Sequence, residues 1–443
     1  MNGLKTTFMK GSSLYIFLIF LLAVPFAAAQ EDTLVNRYRR MAIEYQQQIK
    51  MAESRLSGAE SMLEAAKSDR LPKFDLSGSY RYFGVPLKLA PPADAPPGTP
   101  GVELHNRYSV DVTLSQPIIT GGYLKNTQLA AMSEVELMKA YVDLNKQEVM
   151  LNADIYYWNA VSRKEIRNLL VRYRDNIGRF MKVIEDRVKE EVVGKSELYQ
   201  AKVRYNDAEY GVIKAEKEMK VAFMELNRLL GVPVDTVLSV ADSLSVVDWQ
   251  KAAGDIVQRA LKQRPELSML QRQIEMNQYK EKITASKYMP SAGLGVGGLW
   301  GSPSPGLKKE PAFNYNIRAW LSVPIFYWGK KKEEVAAVRQ ATEVSRLERE
   351  RTTEMITLEA RRSFYELQKS QEQLDFAASA LDNAAKNVSV MVDRYNEGLS
   401  SVLEVLDAQL YWQKSYFNYI QAKYQLNTAY SAFLRAVGEL AAK

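Results

Sequence analysis

The chain has 443 residues, 47% of them apolar, with no Cys, one His and a formal charge of +7. Without thiols there are no disulfides, no thiol catalysis and no thiolate metal site, and the lone His105, in a loop without partners, gives no basis for a zinc or iron centre. Acids and bases are interspersed rather than gathered into the basic stripe that phosphate backbones select, so nucleic acid is not the expected partner.

Residues 1–29 read as a secretory signal: Lys5 and Lys10 form a positive start, Leu14 to Phe26 an apolar run, and Ala27, Ala28 and Ala29 supply small residues before Gln30. An uncleaved anchor is the alternative, but the apolar run is short for a membrane span. Removing the two leader lysines leaves +5 on the mature part. No Cys follows the cleavage point, which excludes a lipid anchor there. No later apolar run is long enough to span, so any membrane crossing falls to strands.

The first unit, residues 30–231, opens with a helix from Thr33 to Arg70 that Pro72 ends. The period then changes from 3.6 to 2. In the strand at 73–83, Phe74, Leu76, Gly78, Tyr80 and Tyr82 alternate with Asp75, Ser77, Ser79 and Arg81. In the strand at 107–117, Tyr108, Val110, Val112 and Leu114 alternate with Ser109, Asp111, Thr113 and Ser115. A long helix at 124–189 follows, free of Pro and with only Gly178 as a weak breaker, then a returning helix at 197–230. At 1.5 Å per residue the long helix is a rod of roughly 100 Å.

Residues 232–252 read as a collar of loops with a short strand, carrying Pro233 and Trp249. The second unit, 253–443, repeats the plan: a helix from Ile256 to Tyr288, strands at 291–300 and 315–325, a long helix at 330–396 and a returning helix at 403–437. Along the last of these, Leu399, Leu403, Leu406, Leu410, Phe417, Ile420 and Tyr424 follow coiled-coil spacing, while Tyr411, Trp412, Tyr416 and Tyr419 lie off that seam.

Each strand has bilayer-crossing length. A half-buried soluble sheet alternates in the same way. Two features favour a membrane barrel: aromatics at both strand ends, including Tyr80, Tyr108, Trp300 and Tyr315 at one and Phe74, Tyr288, Phe326 and Trp328 at the other, and long Pro-rich hairpin connections. Four strands cannot close a barrel, and an open edge in hydrocarbon costs several kcal/mol for each unpaired backbone group. The chain is therefore expected to oligomerise, two copies giving eight strands and three giving twelve.

Sliding the chain 207 positions along itself lays Leu114, Ser115, Pro117, Ile118 and Gly122 over Leu321, Ser322, Pro324, Ile325 and Gly329. The register continues without a gap through Asp186 and Arg187 on Asp393 and Arg394 to Gly231 on Gly438. The chain is a duplicated unit of strands, long helix and returning helix.

With this duplication and the leader, four segments carry a family resemblance: "PIITGG" and "PIFYWG" between strand and helix, "RPEL" at Arg264 to Leu267, and "RYNEGLSSVLEVLDAQ" from Arg394 to Gln409. Together they resemble the TolC family of outer-membrane efflux proteins across essentially the whole mature chain. The resemblance implies a fold that is mainly α with a membrane β-barrel: a homotrimer whose twelve-stranded barrel in outer-membrane lipid continues as a helical tunnel through the periplasm. It also implies docking on a periplasmic adaptor and an inner-membrane pump, without a cofactor.

By the same resemblance, the turn between long and returning helix is the periplasmic tip, with Gly398, Leu399 and Ser400 facing the adaptor. The first copy departs from this pattern. Glu191 replaces the Gly, Val192 and Val193 follow, and Ser196 and Glu197 stand for the usual hydroxyl and acid, so its adaptor contact is left open. The simpler reading of Gly398 is a helix terminator that needs no partner. Acidic rings and helix-to-helix links close such tips; the expected acid falls on Ser389, leaving Asp382, Asp393 and Asp186 as candidate gate acids, or as solvated helix residues.

Two motifs are coincidences. Gly293 to Gly298 contains GxGxxG but follows Pro290 in a strand and opens no helix, and Gly194-Lys195-Ser196 has Lys189 where a phosphate loop needs Gly. Lys330, Lys331 and Lys332 open a helix against its dipole, facing lipid headgroups or water. No carboxylate pair has an activated partner, so no catalytic site is expected. The function expected is an outer-membrane exit duct of a tripartite efflux or type I secretion system; a periplasmic coiled-coil scaffold or adaptor without a barrel is the alternative.

Overall fold

A computed structural model describes residues 34–91, 96–98, 100–246, 254–303 and 310–440. The leader at 1–29, Thr33 and Trp249 lie outside the described residues. The elements run α1 (Leu34–Tyr45), α2 (Gln47–Ser68), β1 (Lys73–Leu89), β2 (Val102–Thr120), α3 (Tyr123–Lys189), α4 (Lys195–Leu230), α5 (Ile256–Gln263), α6 (Pro265–Ser286), β3 (Ser291–Ser302), β4 (Ala312–Ser322), α7 (Lys330–Asn396) and α8 (Val402–Ala436).

The two rods α3 and α7 are 67 residues each and start 207 positions apart. Gly178 does not break α3. A Cβ there would come within 3.1 Å of the Tyr205 ring, so the glycine lets α4 lie close against the rod. Both rods begin after two residues with positive φ: Gly121 and Gly122 before α3, Trp328 and Gly329 before α7. Gly231 and Gly438 end the returning units with φ 73° and 78°.

Upstream of the strands the duplication continues with a different spacing. Helix α2 matches α6, and the start of β1 matches the start of β3, 218 positions apart. The two spacings differ because the β1–β2 hairpin is the longer one. The single helix expected over Thr33–Arg70 is two helices. Gln46 is extended, with ψ 124°, and its side chain donates to the Leu229 carbonyl at 2.5 Å. Its counterpart Arg264, extended with ψ 122°, divides the helix expected over Ile256–Tyr288 and donates to the Ala436 carbonyl at 3.2 Å. Leu229 and Ala436 are themselves one repeat apart.

The four strands form one antiparallel sheet in the order β1-β2-β3-β4, with β1 and β4 at its edges. The strands are longer than the alternation alone indicates. Past an irregularity between Tyr82 and Leu87, β1 and β2 pair again at Leu87–Leu104 and Lys88–Glu103, whereas β2–β3 pairing stops at Tyr108–Ser302. The β1–β2 hairpin therefore stands beyond its neighbour as an arm. At the other end β4 stops at Ser322, short of the expected 325. The collar, in its described part 232–246, is turns and extended coil without the expected strand.

Apolar clusters hold the helices together. Around the collar, Tyr38, Tyr157, Val161, Leu169, Leu226, Val240, Leu244 and Ile420 join α1, α3, α4 and α8. Near the turns, Ile177, Phe180, Ile184, Tyr395, Val402 and Leu406 join both helical hairpins, and Leu367, Leu374, Leu426 and Phe433 zip α7 to α8. A fully buried Leu or Ile contributes about 1.5–3 kcal/mol. The α8 seam is only partly closed, since Leu406 and Ile420 are fully buried while Leu399 and Leu403 are exposed.

Candidate functional site

The sheet has two chemically distinct faces because its register carries each strand's alternation into the next. Phe74 lies opposite Leu114, Leu114 opposite Val296, and Val296 opposite Ile317. This row belongs to a face that also carries Leu76, Tyr80, Tyr315 and Leu321, all exposed. Large apolar side chains on one continuous exposed face are the arrangement a lipid-facing wall requires.

The opposite face is polar and narrow. Asp75 lies opposite Thr113, Thr113 opposite Gly297, and Gly297 opposite Asn316. Ser79 and Ser109 share a hydrogen bond at 3.0 Å, and Ser109 donates to Asp111 at 2.8 Å. The β3 glycines are seats for β4 side chains. A Cβ on Gly293 would come within 2.1 Å of the Trp320 ring, and one on Gly297 within 3.1 Å of the Asn316 amide. The GxGxxG string is thus part of a strand whose missing side chains make room for its neighbour's. A cleft of about 280 Å³ on this face is lined by Asp111, Thr113, Asn314, Asn316 and Arg318.

At the far end of the rods lie the two turns. In the second, Gly398 has φ 77°, its N–H reaches the Tyr395 carbonyl at 3.1 Å, and Leu399 N–H reaches Arg394 at 2.7 Å. In the first, Glu191 holds the same left-handed conformation at φ 61°, with Glu191 N–H on Val188 at 3.2 Å and Val192 N–H on Arg187 at 2.9 Å. The backbone turn survives the loss of its glycine. Val192 and Leu399 are exposed at its apex, Val193 packs inward, and the Ser400 hydroxyl donates to the Met391 carbonyl at 3.1 Å. Ser196 is exposed and lines a groove of about 550 Å³ between α4 and α8, with Tyr199, Val203, Arg204 and Leu403.

The candidate gate acids lie on exposed helix surface. Asp186 pairs with Lys189 at 3.0 Å and Asp382 with Lys386, both on exposed helix surface, and Asp393 is exposed. A polar contact between the two turns comes from another residue, which the sequence did not single out. Arg187 stacks over Tyr395 at 4.4 Å and donates to the Tyr395 carbonyl at 3.1 Å. Tyr395 is buried and meets Phe180 edge-on at 5.0 Å. Burial raises the Tyr395 phenol, with the Arg187 charge opposing that shift.

Charged residues elsewhere hold the frame. In the RPEL segment Arg264, 3% exposed, takes Glu266 in a two-point grip at 2.9 and 2.6 Å and reaches Glu359 of α7 at 3.0 Å. Burial raises the Glu266 carboxyl, but the Arg264 hydrogen bonds and charge outweigh it and leave the group below its ordinary value. The collar is fastened by Glu165, which pairs with Lys423 at 2.7 Å and accepts the Leu244 N–H at 3.1 Å. Among the described residues no helix is long and apolar enough to cross a membrane, and no group of acids and His could hold a metal ion.

The profile of the outer membrane efflux protein family matches residues 39–232 and 256–439, one stretch in each half. The chain belongs to this family. As a member of it, the protein is an outer-membrane efflux channel with its place in the outer membrane. Its fold is similar to that of the Campylobacter jejuni CmeC outer membrane channel, at TM-score 0.71 and 20% identity over 91% of this chain and 85% of that one. It is likewise similar to the outer membrane protein VceC from Vibrio cholerae, at TM-score 0.75 and 15% identity over 91% and 96% of the two chains. A third similar fold is the open state of the Neisseria gonorrhoeae MtrE outer membrane channel, at TM-score 0.73 and 15% identity over 91% and 88%. No curated protein sequence matches.

Proposed function

We propose that three copies of the chain close a twelve-stranded barrel and that this barrel, continued by the rods α3 and α7 as a periplasmic tunnel, is the passive exit duct of a tripartite efflux or type I secretion system. The observation that carries this reading is a sheet with one exposed apolar face, one polar face and both edges unpaired within the chain. In a bilayer those edges must be paired. A duct of this kind needs no cofactor and performs no reaction; a pump in the inner membrane supplies the energy.

The tip, in this reading, meets a periplasmic adaptor through the apex residues Val192, Gly398 and Leu399 and the Ser196 groove, with Val193 and Ser400 shaping the turns from within. Support comes from exposed apolar side chains at both apices and from the groove between the two hairpins. Asp186, Asp382 and Asp393 gain gate meaning only when three copies bring like charges around one axis.

The test is mass and location together: membrane fractionation, extraction in mild detergent, and light scattering corrected for bound detergent. A trimer of about three times the 50.3 kDa chain in the outer-membrane fraction is the expected result. A soluble periplasmic monomer or dimer would overturn the duct and leave the helical scaffold.

A further inference from the structure

The two repeat spacings determine more than the number of strands, because they carry the internal β2–β3 junction onto the junction between copies. Within the chain, Asp111 lies opposite Leu299 and Ser115 opposite Gly295. Strand β4 is β2 repeated 207 positions on, and β3 is β1 repeated 218 positions on. Transferring that register to the free edges sets Ser322 opposite the partner's Ser77 and Arg318 opposite the partner's Arg81. In its own chain Arg81 already lies opposite Arg107.

We infer that joining two copies assembles a row of three arginines, Arg318 with the partner's Arg81 and the partner's Arg107, on the polar face, and that this row is a binding site for multivalent anions. The inference rests on the duct reading, in which the polar face is the lumen wall. Neighbouring strands are about 4.8 Å apart, so three such side chains can converge on one phosphate- or sulfate-bearing solute. All three are exposed, and none is ion-paired among the described residues; Arg318 lies 6.0 Å from the Trp320 ring, with its guanidinium over Gly295 in the cleft that Asp111 also lines. The nearest acid along β2, Asp111, is four residues from Arg107, about 13 Å along a strand, and already accepts from Ser109. Like charges placed side by side repel. A bound polyanion relieves that repulsion, and three copies give the lumen three such rows.

The native chain has no Cys, so introduced pairs report cleanly. In membranes, Ser322→Cys combined with Ser77→Cys should oxidise to covalent trimers, whereas Ser322→Cys with Lys73→Cys, four residues out of register, should not. A non-covalent trimer that cross-links only through the second pair, or through neither, overturns the register. A chain that does not form trimers at all overturns the duct reading instead. For the anion, the heat-dissociation temperature of the detergent trimer is measured in pyrophosphate and in chloride of equal ionic strength. Pyrophosphate should raise it in the wild type and leave Arg81→Gln/Arg318→Gln unchanged. An equal response in both proteins, or none in the wild type, overturns the site.

Discussion

Glu191 and Gly398 occupy one conformation with two chemistries, and the difference is measurable. A left-handed φ costs a residue bearing a Cβ roughly 1 kcal/mol, part of which Gly returns through its greater freedom when unfolded. Nothing lies within 4 Å of a Cβ added at Gly398, so the backbone alone decides the effect there. Gly398→Ala should lower the melting temperature by the equivalent of about 1 kcal/mol, and Glu191→Gly should raise it by somewhat less. Equal melting for Gly398→Ala and wild type would remove strain from the account. Arg187→Ala should speed hydrogen exchange of the amides from Tyr395 to Leu399 while leaving the oligomer intact, because that side chain holds the second turn through the Tyr395 carbonyl and ring. Sequence showed the second turn through its glycine. The first was visible only by the repeat register, since Glu191 is a poor turn signal, and the Arg187–Tyr395 contact was not visible at all. Its repeat counterpart would pair Arg394 with Val188, which has no ring.

Among the elements, β3 and the RPEL hinge make the sharpest predictions. Gly293→Ala puts a methyl against the Trp320 ring and should cost about 1–3 kcal/mol, read as a lower heat-dissociation temperature; Trp320→Ala in the same chain should recover part of it. At the collar, removing either Glu165 or Lys423 strands a buried charge at about 3–5 kcal/mol, whereas Glu165→Leu with Lys423→Met should cost far less than the two singles together. At the hinge, the lowered Glu266 gives a pH signature. Its stabilisation is fully present above the unfolded carboxyl value of 4.5 and is lost as pH falls through the lower folded value. The melting advantage of wild type over Glu266→Gln should therefore hold at neutral pH and shrink in acid below 4.5. The strand faces and both rods were legible, because alternation and 67 residues without Pro admit few other readings. The break at Gln46 was not, since no Pro or Gly marks it; Pro265 announces its twin at Arg264. The pairing of β1 and β2 beyond Tyr82 was hidden by Gly84 and Pro86, which read as a loop while the hairpin continues past them.

For the whole molecule, the exposed flank of α7 is where the proposed trimer would make its contact between copies. Leu347, Leu358, Tyr365 and Phe376 are exposed along it, although α7 is zipped to α8 by its other side. Leu358→Glu should leave helical circular dichroism unchanged and abolish trimers on detergent gels; intact trimers would place the contact between copies elsewhere. Among the described residues no helix is long and apolar enough to span a membrane, but only the register shows that the apolar rows of all four strands share one side. The unequal hairpins have a last consequence at the cell boundary. With β1 and β2 paired past the end of β3, three tall arms and three short ones would alternate around the outer mouth. In the proposed trimer that would set the stretch around His105, whose ring stacks on Tyr82, on the outer surface of the cell as an epitope open to antibodies.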